Sequence, residues 1–540
     1  MNRKFRIYWI VLVLIAPLFL VVPSTAGQTM TPHYFSRPKL IVMMVIDQFR
    51  YDYLVRFRPE FVPRGFNLLL GGADFVDCRY NYASTFTCPG HATLFTGAYP
   101  ANTGIIANEW YDPTLHRSEY CVEDPGVTPV GASDGTGMSP RNLIGSTIGD
   151  ELRSATDFKS KVIAISVKDR ASIVPGGHLA NAAYWYDAKS GRFVTSTYYM
   201  SGLPAWVKQF NLQNAPGSYC GKNWMALPET PGAHGEALRA FKTQGSETCP
   251  DARFRNWLEV TPFMNEVELK FTLAAIQNER LGRGPGTDLV TISLSANDYI
   301  GHTYGPYSPQ VADATLRTDR YLAAFFDGLD HSVGLNNIWM TLSADHGVAP
   351  NPKFIKDHHL GLGNFNPANL RSEVELAMNQ TFGQDEWIEH SNAIYIFLNH
   401  ATLARHRIDL AQAQAVAARA AASVPGVRAA YTRTQIMNGD LPHIPLAEKV
   451  SNSFNPLRSG DVFIVLEPYA VPVAGDIHTT HGSPWSYDAQ VPLIFWGNAF
   501  NPGVYTVPVQ PVDLAATLSA ALRLTQPSGE QGRPLSIALK

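Results

Sequence analysis

Several short runs dense in Val, Ile and Leu end on an acid or a histidine, and this constrains the chain more than any other feature. Residues 40–46 run into Asp47, residues 289–294 are followed by Asp298 and His302, and residues 338–342 by Asp345-His346. Further runs of the same kind occupy 162–167, 462–466 and 491–496. A strand that is apolar at every position, without alternation, is one covered on both faces, and helical patterns lie between these runs. The expected fold is therefore α/β, a mostly parallel central sheet with helices on both faces. The Ala-rich stretch 410–422, which stops before Pro425-Gly426, and the stretch 512–522 read as two of those helices. In open sheets of this class ligands collect beyond the carboxyl ends of the strands, so acids and histidines far apart in sequence converge at one edge.

The rest of the chain sets the context. At 540 residues and 45% hydrophobic it buries a large core, and 43 basic against 46 acidic side chains offer no broad cationic surface, so no nucleic-acid partner is expected. Arg3, Lys4 and Arg6 precede an uncharged stretch 7–24 that closes in Ser24-Thr25-Ala26. This reads as a signal peptide over 1–26, leaving a mature chain over 27–540. Pro17 and Pro23 argue against an uncleaved anchor, and no later stretch is long and apolar enough to span a bilayer. The product is expected to be exported: periplasmic from a Gram-negative source, otherwise secreted. Export permits disulfides, and the pairings weighed are Cys220 with Cys249 and Cys78 with Cys121, leaving Cys88 over. A Gly-, Pro- and Trp-rich segment near 183–255 reads as a cap-like insertion over the sheet edge, with a smaller insertion near 350–460. Nothing in the chain names a protein partner.

Three carboxylates, Asp47, Asp298 and Asp345, and two imidazoles, His302 and His346, share the expected edge, and His481 in Thr480-His481-Gly482-Ser483 is a sixth candidate. Singly, an Asp after a strand is more often a helix cap, and a lone His an ordinary hydrogen-bonding residue. Together they form a set of N and O donors suited to zinc. Asp298 and His302, four apart, can aim at one ion from one helical turn.

Between Asp47 and the next run lies Ser84-Thr85-Phe86-Thr87-Cys88-Pro89-Gly90-His91-Ala92-Thr93. With the ordered acids and histidines, this layout resembles the alkaline phosphatase superfamily, in particular its branch of phosphodiesterase-like and PafA-type periplasmic phosphatases. The resemblance runs from Asp47 to the helix bearing Asp513 and implies an alkaline-phosphatase-like fold. It also implies two zinc ions per chain, one held by Asp298, His302 and His481, the other by Asp47, Asp345, His346 and the nucleophile Thr87. Thr85 and Thr93 are local rivals of Thr87 outside the family's position. A helix beginning near Pro89 would aim amides at a phosphate. Asn108 corresponds to a phosphate-binding Asn and Lys168 and Arg170 to the cations of the monoesterases. Two apart on an extended strand, those cations would share a face, with Asp169 pointing away.

The implied substrates are small-molecule phosphate esters. Two zinc ions less three Asp, plus Lys168 and Arg170, leave three positive charges, matching a monoester dianion with a Thr alkoxide rather than a diester. The alternatives are a phosphodiesterase or nucleotide pyrophosphatase on the same metals and, from another class, a secreted binding protein with a decayed site. A sulfatase is disfavoured, because Pro89 directly follows Cys88 and Gly90-His91 stands where an Arg is required.

Overall fold

The run Leu40-Ile41-Val42-Met43-Met44-Val45-Ile46 forms a strand buried at every position, because it lies between two parallel neighbours, Asp288–Leu294 and Ile338–Ser343, and under helices. The computed structural model describes residues 36–132, 135–241, 249–473, 475 and 477–540. The signal peptide expected over 1–26 lies outside the described residues.

Five parallel strands make the centre of a ten-stranded sheet: Ile338–Ser343, Leu40–Ile46, Asp288–Leu294, Val162–Ser166 and Ala182–Asp187, in that order. Register places Ile46 opposite Leu294 and Val45 opposite Ser343. Asp47 and the segments beginning at Ser295 and Ala344 therefore leave the sheet at the same level, which is why acids hundreds of residues apart meet. Beyond Ile338–Ser343 the sheet turns antiparallel through Gln490–Trp496 and Ala73–Arg79. The run 491–496 is thus a central-sheet strand of reversed direction, which its apolar pattern does not reveal.

The run 462–466 does not join the main sheet. Val462–Leu466 pairs antiparallel with Tyr395–Leu398 and Val427–Thr432 in a separate four-stranded sheet. Val462 and Ile464 face the helices Pro367–Phe382 and Leu410–Ser423, whereas Phe463 and Val465 pack toward Trp110, Val122 and Cys121 of the main body. Burial on both faces gives an antiparallel strand the same unbroken apolar run as a parallel one. The segment near 183–255 also differs from expectation at its start: Ala182–Asp187 and Arg192–Ser196 extend the main sheet, and the irregular part follows them.

The disulfides are Cys88–Cys121 and Cys220–Cys249. The expected Cys78–Cys121 pair is not formed. Cys78 is a buried free thiol in Ala73–Arg79, opposite Val491, while the hairpin Glu109–Asp112/Arg117–Tyr120 folds back and carries Cys121 to the start of the helix Thr87–Thr96. Among the described residues, no helix is long and apolar enough to cross a membrane.

Candidate active site

Asp47 follows Leu40–Ile46; Asp298 and His302 lie one turn apart on the helix Ala296–Tyr304; Asp345 and His346 follow Ile338–Ser343; and His481 comes from the loop before the strand Gln490–Trp496. The fold brings all six together. Asp298, His302 and His481 form one group, with His302 Nε2 3.2 Å and His481 Nε2 3.7 Å from Asp298 Oδ1. Asp47, Asp298 and His346 form a second, so Asp298 belongs to both. Asp345 adjoins the second group through Oδ2, 3.4 Å from His346 Nε2, while Asp47 Oδ1 stands 3.5 Å from the same nitrogen. The expected division of ligands, with Asp345 in the second group and Asp298 in the first alone, is therefore less sharp in the structure.

The imidazoles are oriented by the backbone. His302 Nδ1 donates to Thr479 O, His481 Nδ1 to Thr85 O and His346 Nδ1 to Gly347 O, at 2.7, 2.8 and 2.9 Å. A carbonyl only accepts, so the proton of each neutral ring sits on Nδ1 and the Nε2 lone pair is turned toward the carboxylates, the arrangement that outer hydrogen bonds impose on metal-ligating histidines. Burial lowers His346 to about 3, and burial together with His346 takes His481 well below the ordinary range. Burial also pulls His302 down, but Asp298 outweighs it and leaves that ring above its ordinary value.

The carboxylates are poised unevenly. Burial alone would raise Asp298, but His302 and Lys168 hold it well below the usual range; burial and then Asp47 push Asp345 well above it. Asp345 Oδ1 accepts from the amides of Gln48 and His346, whereas Asp345 Oδ2 and Asp47 Oδ1 are buried without a hydrogen-bond partner among the described residues. Unpartnered carboxylate oxygens beside Nε2 lone pairs make a donor set that fits metal.

Thr87 is the first residue of a helix buried throughout, Thr87–Thr96, after Phe86 in extended conformation. Its Oγ1 lies 3.3 Å from His346 Nε2. Thr85 is occupied elsewhere, donating its hydroxyl to Ser483 O. The helix does not offer the expected fan of amides: Cys88 N–H is taken by Asn108 Oδ1, Pro89 has none, and Gly90 N–H bonds Phe86 O. Asn108 is thus anchored at the first turn by its oxygen.

Lys168 and Arg170 are not on an extended strand. Lys168 is the last extended residue, and Asp169–Gly176 is already helical. Lys168 Nζ reaches Asp47 Oδ2 at 2.6 Å and Asp298 Oδ2 at 2.5 Å, bridging both groups, and sits over the Tyr299 ring. Burial alone would lower this ammonium; Asp298 and Asp47 hold it above its ordinary range. Arg170 donates to the Tyr120 hydroxyl at 2.9 Å. Asp169 turns toward this cluster, accepting from Tyr120 at 2.6 Å.

Several participants carried no sequence signal. Gln48, in left-handed conformation at φ 62°, donates to Asp298 Oδ1 at 2.6 Å. His91, visible in the Thr87 motif but assigned no role there, links Thr87 O to Ser293 Oγ. Tyr120 lies in the hairpin, outside any motif.

Known proteins resemble the chain over most of its length. Residues 41–485 match the type I phosphodiesterase / nucleotide pyrophosphatase family, and the chain belongs to it. Alkaline phosphatase PafA of Elizabethkingia meningoseptica is 34% identical over 96% of this chain and 97% of its own length. Alkaline phosphatase PhoV of Synechococcus elongatus is 37% identical over 96% and 95%. The crystal structure of PafA superposes with a TM-score of 0.86 at 34% identity, covering 94% of this chain and all of that one. Within its family the chain is of the alkaline phosphatase type, with the PafA fold.

Proposed function

We propose that this phosphatase hydrolyses phosphate monoesters through a covalent phosphothreonine at Thr87, with two zinc ions held by Asp47, Asp298, His302, Asp345, His346 and His481, and with Thr87 itself a ligand in the attacking state. The observation that carries the reading is the Thr87 hydroxyl at 3.3 Å from His346 Nε2, beside carboxylate oxygens with no hydrogen-bond partner among the described residues. Zinc, when bound, lowers the pKa of a coordinated hydroxyl and stabilises the departing oxygen. Thr87 Oγ1, its proton released to solvent, then forms the bond to phosphorus as the P–O bond to the ester oxygen breaks and that oxygen takes a proton from water; attack of water on phosphorus later breaks the Oγ–P bond, restoring the hydroxyl and releasing inorganic phosphate.

Lys168, Arg170 and Asn108 are the phosphoryl-binding side chains in this reading. Lys168 supports a monoesterase over a phosphodiesterase, because its ammonium faces the ligand carboxylates rather than solvent. With the Cys88 and Gly90 amides engaged and Pro89 lacking one, much of the charge stabilisation of the transferred group falls to these cations. The substrates are small phosphate esters. Export with removal of residues 1–26 completes the proposal, supported by the two disulfides.

The test compares an aryl phosphate, the matching diester and the sulfate on purified mature protein, with metal analysis. The monoester should be preferred, the protein should hold about two zinc ions, and chelation should abolish turnover. A zinc-free sample with full activity, or a preference for the diester, would contradict the reading.

A further inference from the structure

The hairpin that carries Tyr120 is fastened to the nucleophile helix at consecutive points. Cys121 is disulfide-bonded to Cys88, the residue after Thr87; Cys121 N–H donates to Asn108 O, and Cys88 N–H to Asn108 Oδ1, both at 2.9 Å. One residue before that disulfide, the Tyr120 hydroxyl donates to Asp169 Oδ1 at 2.6 Å and accepts from Arg170 Nη1 at 2.9 Å, with the guanidinium carbon 5.9 Å from the ring centre. Asp169 Oδ1 also accepts from Arg170 N at 2.6 Å. Arg170 Nε is buried and has no hydrogen-bond partner among the described residues, so the guanidinium retains a donor for a ligand. The helices Thr87–Thr96 and Asp169–Gly176 pack against one another.

We propose that Tyr120 is a positioning residue for Arg170: its hydroxyl stands between the guanidinium and Asp169, and the Cys88–Cys121 disulfide locks that spacing to Thr87. The proposal rests on the reading of Arg170 as a phosphoryl contact. The direction of the hydrogen bonds follows from chemistry. The Asp169 carboxylate only accepts, so the phenol proton points to it and the phenol lone pair faces Arg170. Burial holds this phenol well above its ordinary pKa, so it stays a donor at any working pH. Without the hydroxyl, Arg170 and the adjacent Asp169 can close into a direct ion pair that draws the fork away from the reacting phosphoryl group.

The experiment measures kcat/KM for an aryl phosphate and its diester, and the inhibition constant of inorganic phosphate, in the metal-loaded enzyme and in Tyr120→Phe, Arg170→Ala and the double variant. Tyr120→Phe should lower monoester kcat/KM about 10- to 100-fold, the rate equivalent of one hydrogen bond to a charged group. It should weaken phosphate binding, change the diester much less, and leave the metal content per chain as in the parent. Added to Arg170→Ala it should cost nothing further, because both changes remove the same contact. If Arg170→Ala leaves the monoester-to-diester ratio unchanged, the reading of Arg170 as a phosphoryl contact is wrong. If Arg170→Ala narrows the ratio but Tyr120→Phe does not, or if the two losses multiply, Arg170 keeps its role and the positioning by Tyr120 is overturned. Folded Cys88→Ala/Cys121→Ala protein should shift the ratio in the same direction, and an unshifted ratio would refute the lock; if that variant does not fold, Tyr120→Phe decides.

Discussion

Thr87 has two hydroxyl neighbours in sequence, and the structure separates them by what each oxygen touches. Thr85 donates to Ser483 O, Thr93 lies six residues along the helix, about 9 Å away, and Thr87 Oγ1 alone among the three contacts His346 Nε2. Thr87→Ala should therefore lose on the order of 10⁶-fold in kcat, as removal of a catalytic nucleophile does, and Thr87→Ser, which keeps an oxygen at the same place, should retain more activity than the alanine. Acid quenching during turnover should trap phosphate on residue 87; label on Thr85 instead would overturn the assignment. The acids and histidines were readable because their residue types carry chemistry wherever they stand. Gln48 and Tyr120 were not, since neither type nor spacing distinguishes them from any polar residue until the backbone places Gln48 on Asp298 and Tyr120 on Arg170.

The helix Thr87–Thr96 gets its position from glycine rather than from a cap. A Cβ on Gly90 would fall 2.2 Å from Asp345 O and 2.7 Å from Asp345 Cβ, so the helix rests directly on the backbone of a ligand candidate. His91, next in sequence, ties the same turn to Ser293 on the neighbouring strand Asp288–Leu294. Gly90→Ala must push helix and strand end apart, since neither colliding atom belongs to a flexible side-chain tip. An overpacking cost of about 1–3 kcal/mol is expected, read as a lower Tm in thermal unfolding together with a fall in kcat, because Thr87 moves relative to Asp345. Unchanged Tm and kcat would show that the contact relaxes freely. The hairpin Glu109–Asp112/Arg117–Tyr120 and the four-stranded sheet containing Val462–Leu466 behave oppositely: each pairs its strands locally, but the face on which they meet, Trp110 and Cys121 with Phe463 and Val465, joins segments hundreds of residues apart.

Across the whole molecule, burial leaves several carboxyls reluctant to ionise: Asp74 is raised to about 6 and Glu259, Asp488 and Glu530 to about 7, desolvation being the largest cause in each case. A carboxyl whose folded pKa exceeds its unfolded one binds its proton more tightly in the native state. Its contribution is full below about pH 4 and is lost as pH rises through about 7. Asp488 accepts from the amide and hydroxyl of Ser483, close to His481, and its other oxygen has no hydrogen-bond partner among the described residues. Asp488→Asn keeps an acceptor there without the charge, so Tm should fall less between pH 5 and pH 8 than in the parent; an identical slope would place the titration elsewhere. The sequence by itself determined the α/β class, four of the five central parallel strands nearly to the residue, and the acids and histidines that gather at their ends, because strand burial and ligand chemistry are properties of local residue type. Through its motif it also singled out Thr87, the nucleophile of the proposed mechanism. Tertiary structure alone decided that Gln490–Trp496 runs antiparallel, that Val462–Leu466 leaves the main sheet, that Cys121 pairs with Cys88 rather than Cys78, and that Lys168 reaches Asp47 and Asp298 while Arg170 leans on Tyr120. Direction, partner and pairing are relations between distant segments, set by which surfaces bury one another, and no local pattern records them.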